Sequence, residues 1–379
     1  MSTIISILLL LLVISILTFV HELGHFLAAK AVKAKVFDFS IGFGPKLLSK
    51  KYKGTTYNLR VLPFGGYVKI LGDGDPTSSK EDTKSKGNLK NKNKWAQMFV
   101  MLAGVSMNIL LAIILYTIFL ANNGWKMSIG STYEDFKPVG ATIERERVMD
   151  LPYELADEGG ALDASMYEKG YILSIDGEDI DDYQNLIEVL KKNKSEEINV
   201  YACDMDKECD FFDVLVSEEG KMGVYTGENY DVYIDYSNNK IFAGASHSIN
   251  IVKLTGQVFG SMLSTAQDTG DYSELSNTVS GPIGIYFIID YFKTLGVIMF
   301  LGILADLSIS LAVINLLPIP ALDGGRFFIL LIESILRKDL NPKIENAIIN
   351  ISFMFLIILI IAIMIKDIIN IEELKSLFK

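Results

Sequence analysis

The stretch Phe19-Val20-His21-Glu22-Leu23-Gly24-His25, FVHELGH, closes an almost unbroken apolar run, LLLLLVISILTFV, that begins at Leu8. A helix carries residues i and i+4 on one face, so His21 and His25 can point their rings at one ion with Glu22 beside it. In H-E-x-x-H sequences two neutral imidazoles hold zinc, and the carboxylate takes the proton of the attacking water. Only three histidines occur in the chain, and two of them fall at this spacing around a glutamate. The plainer reading is a pair of interfacial histidines at the end of a membrane helix.

Working outward, the apolar run is one of four. Residues 3–20, 96–121, 295–317 and 347–365 each approach the roughly 17–25 apolar residues that cross a bilayer as a helix. Half of the 379 residues are hydrophobic, which favours a membrane protein with a polar insert over one soluble domain. Any single run could be a buried core helix; four together argue against a wholly soluble fold. The first run lacks the basic leading residues and small-residue cleavage site of a signal peptide, so it is expected to stay as a helix.

Charge divides the chain. Lys30 to Lys94 holds 15 Lys/Arg against 5 Asp/Glu, whereas Lys126 to Lys240 holds 11 against 28. By the positive-inside bias the basic loop is cytoplasmic and the acidic middle lies outside, with four crossings and both termini outside. Arg326, Arg337, Lys338 and Lys343 then fall in the other inner loop. The net charge of −11 comes mainly from the outer part, and nothing resembles a nucleic-acid-binding stripe.

The expected organisation is an N-terminal membrane half (1–121), an extracytoplasmic α+β domain (122–245) and a C-terminal membrane half (246–379). In the first part, FSIGFGPKLLSK reads as a turn at Gly42, Gly44 and Pro45. KGTTYNLRVLPFGGYVKILGDGD reads as a short β-hairpin around Gly65-Gly66. Residues 73–94 read as a mobile polar loop. In the outer part, YILSIDGEDI carries an Asp176-Gly177 turn, and DDYQNLIEVLKKN places Tyr183, Leu186, Ile187 and Leu190 on one helix face. Cys203 and Cys209 flank a turn between two strands and read equally as a loop-closing disulfide or two free thiols.

Catalytic zinc needs a third protein ligand and an open position. His247 lies in the outer segment, on the far side from HELGH in this topology. In NLLPIPALDGGR, Pro318 and Pro320 break the helix, and such irregular backbone at membrane depth survives only where protein or a water-filled cavity satisfies it. An ionisable residue there is functional by default, which makes Asp323 the candidate. Asp306 sits in the same run, and a DGG turn also has a purely structural reading.

HELGH on a first membrane helix with NLLPIPALDGG on a later one resembles the site-2 protease family. The bacterial regulator-of-sigma-E protease branch, which carries an extracytoplasmic PDZ domain, is more similar still. GFGP, PFGGYVKILG, AGVSMN on the second membrane helix and SGPIGI echo that branch, so the likeness covers most of the chain. The resemblance implies a polytopic α-helical membrane protein with a membrane-associated β-hairpin and a PDZ-like outer domain, in a bacterial cytoplasmic membrane. It implies Zn2+ on His21, His25 and Asp323, Glu22 as the base, and Asn315 as a holder of substrate backbone. It also implies that Gly65, Gly66 and Tyr67, within PFGGYVKI, offer an edge to which an unwound substrate helix adds as a strand. The rival reading is a hairpin that only covers the site.

Expected substrates are single-pass membrane proteins, such as anti-sigma factors trimmed outside by an upstream site-1-type protease, or remnant signal peptides. Two departures stand out. Val105 replaces the proline usual in AGP-x-x-N, and the outer-domain run EGGALDASMYEKGYILSIDG is longer than usual and lacks the Gly-Asp-x-Ile aspartate. The outer domain is then a size filter or a docking surface. The alternative function is a non-proteolytic zinc-binding membrane scaffold or transporter with a partner-binding outer domain.

Overall fold

The computed structural model describes residues 2–73 and 85–376 and divides into two compact units, Met1–Asn122 with Ile241–Lys379, and Asn123–Lys240. Half of the expected mobile polar loop of residues 73–94 falls outside the described residues; the other half departs from that expectation, with a one-turn 3-10 helix at Leu89–Asn91 whose Leu89 is buried.

The first unit opens with α1 (Ser2–Ala31), which carries HELGH in its C-terminal half. The helix stops where Lys33 takes φ 57° and Ala34 N–H reaches back to Ala29 O at 2.8 Å, a left-handed cap. Two long strands follow, β1 (Val36–Tyr52) and β2 (Thr55–Ile70). The reversal is at Lys53-Gly54, both at positive φ (44° and 80°), as a two-residue hairpin loop requires.

Here the structure corrects two expectations. Gly42 and Gly44 lie inside β1 and Gly65-Gly66 inside β2, so neither pair is the turn of a short hairpin. Both strands bend instead. Ser40 pairs with Asn58 on one side and with Tyr67 on the other, so residues 66–70 flank β1 as an outer edge. Positive φ at Gly42 (82°), Gly44 (81°) and Gly65 (84°) supplies the bends.

Helix α2 (Lys94–Asn122) runs unbroken through Val105, and Asn93 caps it by accepting from Ala96 N–H at 2.7 Å. It approaches α1 so closely that a Cβ on Gly24 would lie 2.2 Å from Ala103 O.

The second unit holds β3 (Lys126–Ser128), β4 (Thr142–Arg147), β5 (Leu151–Leu155), α3 (Gly160–Asp163), β6 (Lys169–Ile175), β7 (Glu178–Asp179), α4 (Tyr183–Lys192), β8 (Glu197–Asp204), β9 (Cys209–Leu215), β10 (Val224–Thr226) and β11 (Tyr230–Asp235). Strands β10-β5-β6-β8-β9 form the main sheet, with β7 on β6; β3-β11-β4 form the other. Asp176 and Gly177 both take positive φ and make the expected turn between β6 and β7. The main core gathers Leu151, Ile172, Ile175, Leu186, Ile198 and Val214. Of the four residues placed on one face of α4, Leu186 and Leu190 are buried, whereas Tyr183 in the first turn is exposed. Cys203 and Cys209 form a disulfide across the β8–β9 turn.

The chain returns to the first unit through α5 (Ala243–Thr269), α6 (Ser273–Thr278), α7 (Pro282–Phe292), α8 (Val297–Leu316), α9 (Asp323–Leu336), α10 (Pro342–Ile369) and α11 (Ile371–Ser376). Four of the described helices, α1, α2, α8 and α10, are long and apolar enough to cross a membrane. Helix α10 exposes apolar side chains over many turns, including Ile351, Phe355 and Ile358, a face suited to lipid. Near its end the buried Asp367 accepts from Gly281 N–H (2.9 Å) and Gly284 N–H (3.2 Å), fastening α10 to the start of α7. His247, expected in the outer segment, lies instead on α5 of the first unit, buried with its ring edge-on to Tyr116 of α2 at 4.5 Å.

Candidate metal centre

Helix α1 sets His21 and His25 one turn apart with their Nε2 atoms 3.2 Å from each other. Asp323, almost three hundred residues later, is the first residue of α9. It brings Oδ2 to 3.0 Å from His21 Nε2 and 3.2 Å from His25 Nε2. No side chain fits beneath that first turn. A Cβ on Gly324 would lie 2.3 Å from Leu316 O, and one on Gly325 2.0 Å from Ile319 O. The DGG sequence is thus what lets α9 start against the 317–322 linker and aim Asp323 at the histidines.

Two imidazole nitrogens and one carboxylate oxygen are the donor set of a catalytic zinc site. Tetrahedral ligands at about 2.0–2.1 Å from zinc lie roughly 3.3 Å apart, and the three atoms here are spaced at 3.0–3.2 Å. The residues fit zinc. Among the described residues these three are the one group of His, Cys, Asp or Glu so clustered. Asp306 is elsewhere, accepting from the Tyr116 hydroxyl at 2.5 Å.

Helix α2 supplies the surroundings of the two rings. Val100 O lies 2.8 Å from His25 Nδ1, which places the proton on Nδ1 and leaves the Nε2 lone pair available to a metal. Gly104 faces both histidines, and a Cβ there would sit 2.4 Å from His25 Nε2 and 2.8 Å from His21 Nε2. Its missing side chain is the space in which the ligand atoms converge. Asn108 brings its carboxamide to 3.3 Å from His21 Nδ1.

Glu22 is held from the β-sheet. Val68 N–H, on the outer side of β2, donates to Glu22 Oε2 at 2.9 Å. The edge formed by residues 66–70 therefore faces the carboxylate. Gly66 sits on this edge opposite Ile41. Tyr67 is opposite Ser40, and its hydroxyl accepts from Arg60 at 2.6 Å. Gly65 bends the strand against Phe43. Asn315 lies half-buried in the last turn of α8, its side chain without a hydrogen bond to any described residue.

Several contributors had no role in the sequence reading. Gly104 and Asn108 are visible in the sequence only as letters of AGVSMN, which echoes the resembled branch without assigning either residue a role. Val68 acts through its backbone, which no side-chain pattern reveals. Arg326, one turn after Asp323, pairs with Asp73 at 2.8 Å and ties α9 to the segment after β2.

The profile of peptidase family M50 matches residues 9–359. A Clostridium perfringens protein that carries the name zinc metalloprotease is 35% identical, over 95% of this chain and 97% of its own. The regulator of sigma-W protease RasP of Bacillus subtilis is 28% identical, over 93% of this chain and 95% of its own. The zinc metalloprotease RasP of Shouchella clausii is 27% identical, over 94% and 97%.

Proposed function

From the premise that the chain belongs to peptidase family M50 and is a zinc metalloprotease, we propose that it cuts single-pass membrane proteins within or beside the bilayer. His21, His25 and Asp323 are the ligands and Glu22 the general base. The observation that carries this reading is the convergence of His21, His25 and Asp323 at zinc spacing on membrane-length helices, with Glu22 adjacent.

Zinc, when bound, polarises the scissile carbonyl and acidifies water. Glu22 takes the proton of the attacking water and returns it to the leaving amine. Its Oε2 is occupied by Val68 N–H, which fixes the carboxylate plane and leaves Oε1 for the water. The substrate, unwound near the cut, adds as a strand to the edge at Gly66 and Val68, so that the scissile bond arrives beside the base. Asn315 offers an unpaired carboxamide for substrate backbone at the end of α8.

The basic loop after α1 supports a cytoplasmic side for the site. The disulfide supports an oxidising, extracytoplasmic side for residues 123–240. That unit is PDZ-like in having a helix, α4, opposite a short edge strand, β10, across a cleft of about 1060 Å³. A cleft of that form suits an extended peptide or a bulk check on incoming substrates. The name of the Bacillus subtilis relative, regulator of sigma-W protease, supports a substrate that acts in sigma-factor regulation; an anti-sigma factor already shortened outside by a site-1-type protease is the substrate that the family resemblance suggests. A scaffold or transporter has no use for Glu22 beside the ligands.

The test is cleavage of a single-pass substrate in proteoliposomes by the full chain and by Glu22→Gln. Loss of cleavage with zinc content intact is the expected result. Persistent cleavage assigns the proteolysis to some other centre.

A further inference from the structure

A histidine that binds zinc through Nε2 carries its proton on Nδ1, and a buried Nδ1–H needs an acceptor. For His25 that acceptor is Val100 O. For His21 the structure shows one candidate, the carboxamide of Asn108, 3.3 Å from Nδ1 and fully buried. As placed, the amide nitrogen faces the ring, while Asn108 Oδ1 is buried without a partner. Two donors would then confront each other beside an idle acceptor. A half-turn of the carboxamide exchanges the two atoms and removes the conflict.

We propose that Asn108 is the positioning residue for His21, its Oδ1 accepting Nδ1–H so that Nε2 presents its lone pair to zinc. The proposal rests on His21 being a ligand.

The helices explain why this residue can do it. Val100, Gly104 and Asn108 follow one another at i, i+4 and i+8, so they share one face of α2. The carbonyl of Val100 points toward the C-terminus of its helix, and the side chain of Asn108 leans toward the N-terminus. Both therefore converge on the level of Gly104, where the missing Cβ admits the two rings. One helix face thus orients both histidines, by a backbone carbonyl for one and a side-chain amide for the other. Asn108 is itself held in place, because its own carbonyl accepts from Ser308 Oγ at 2.8 Å on α8. No substitution of the side chain removes that bond.

The experiment measures zinc affinity of the purified full chain in detergent by competition with a chromophoric chelator. Asn108→Leu keeps the size and removes the acceptor, and Asn108→Ala removes both. Asn108→Asp keeps an acceptor at the same atom. Loss of such an orienting bond weakens metal binding about 10–100-fold. That loss is expected in Asn108→Leu and Asn108→Ala, with Asn108→Asp staying within about threefold of the parent. Cobalt-loaded samples add a second readout, the visible ligand-field band, which should broaden in Asn108→Leu and stay sharp in Asn108→Asp. A purely packing role for Asn108 predicts the reverse order, with Leu tolerated and the buried charge of Asp harmful. That order, or unchanged zinc affinity in both Leu and Ala variants, overturns the proposal. His21→Ala is the control for the premise. If it retains parental zinc affinity, the ligand assignment is wrong; if it loses zinc while Asn108→Leu does not, only the Asn108 inference fails.

Discussion

Val68 donates its backbone N–H to Oε2 of Glu22 at 2.9 Å, joining the edge of the β-sheet to the carboxylate next to the proposed zinc ligands. That N–H is outside the ladder to β1, which Leu71 N–H continues by donating to Lys35 O at 2.9 Å. The strand edge and the Glu22 carboxylate are therefore one mechanical unit. A substrate strand laid along residues 66–70 would be positioned by the same backbone that positions Glu22.

The bond can be removed without breaking the sheet. Proline is tolerated on an edge strand when its missing N–H faces away from the partner. Val68→Pro should therefore leave β2 paired with β1 and zinc binding unchanged. A hydrogen bond to a charged group is worth about 1.5–3 kcal/mol, so turnover should fall roughly 10–100-fold. Steady-state cleavage of a fluorogenic membrane peptide, with metal content measured in parallel, checks this. Parental turnover in a zinc-loaded Val68→Pro protein would show that the bond does not serve the base.

Glu22→Gln tests the base itself. The amide preserves volume and the contact from Val68 but cannot take a proton. General acid–base catalysis contributes about 10²–10⁴-fold, and a loss of that size is expected at unchanged zinc stoichiometry. A fall in zinc content alongside activity would instead make Glu22 a ligand.

Gly104→Ala separates the space for the ligands from the ligands themselves. The new methyl would lie 2.4 Å from His25 Nε2 and 2.8 Å from His21 Nε2, inside contact distance of both. Alanine is the better helix former by about 1 kcal/mol, so α2 should not be weakened by propensity. The expected outcome is a folded protein that no longer retains zinc through gel filtration. Gly256→Ala on α5, where nothing lies within 4 Å, is the matched control and should behave as the parent. Equal zinc retention in the two variants would mean that the rings move aside at little cost.

What the sequence made legible follows from the range of the interactions. HELGH is local, since one helical turn fixes two proposed ligands and the proposed base, and four apolar runs suffice to place the long helices. Asp323 was reached through a broken helix and a family likeness, because nothing near it in sequence points to His21. The β-element was misjudged in form, since glycines that bend a long strand look the same in sequence as glycines that end a short one. Val68, Gly104 and Asn108 were unreadable for a different reason. Their roles arise only when α2 lies against α1 and the sheet edge reaches Glu22, and none of them carries a side chain that advertises metal chemistry.

The start of α9 gives the last prediction. Asp323 reaches the histidines only because Gly324 and Gly325 let the first turn of α9 lie on the linker, and a Cβ on Gly325 would stand 2.0 Å from Ile319 O. A backbone oxygen held between Pro318 and Pro320 cannot yield as a flexible side chain would, so the helix must shift. Misplacing a catalytic group by about 1 Å can cost about 100-fold in rate. Gly325→Ala should therefore lose cleavage and zinc affinity together, unlike Val68→Pro, which should lose cleavage alone. Chelator competition and initial-rate cleavage on the same preparations distinguish the two patterns. If Gly325→Ala holds zinc as tightly as the parent and cuts at the same rate, the close approach of α9 to the linker does not set the position of Asp323.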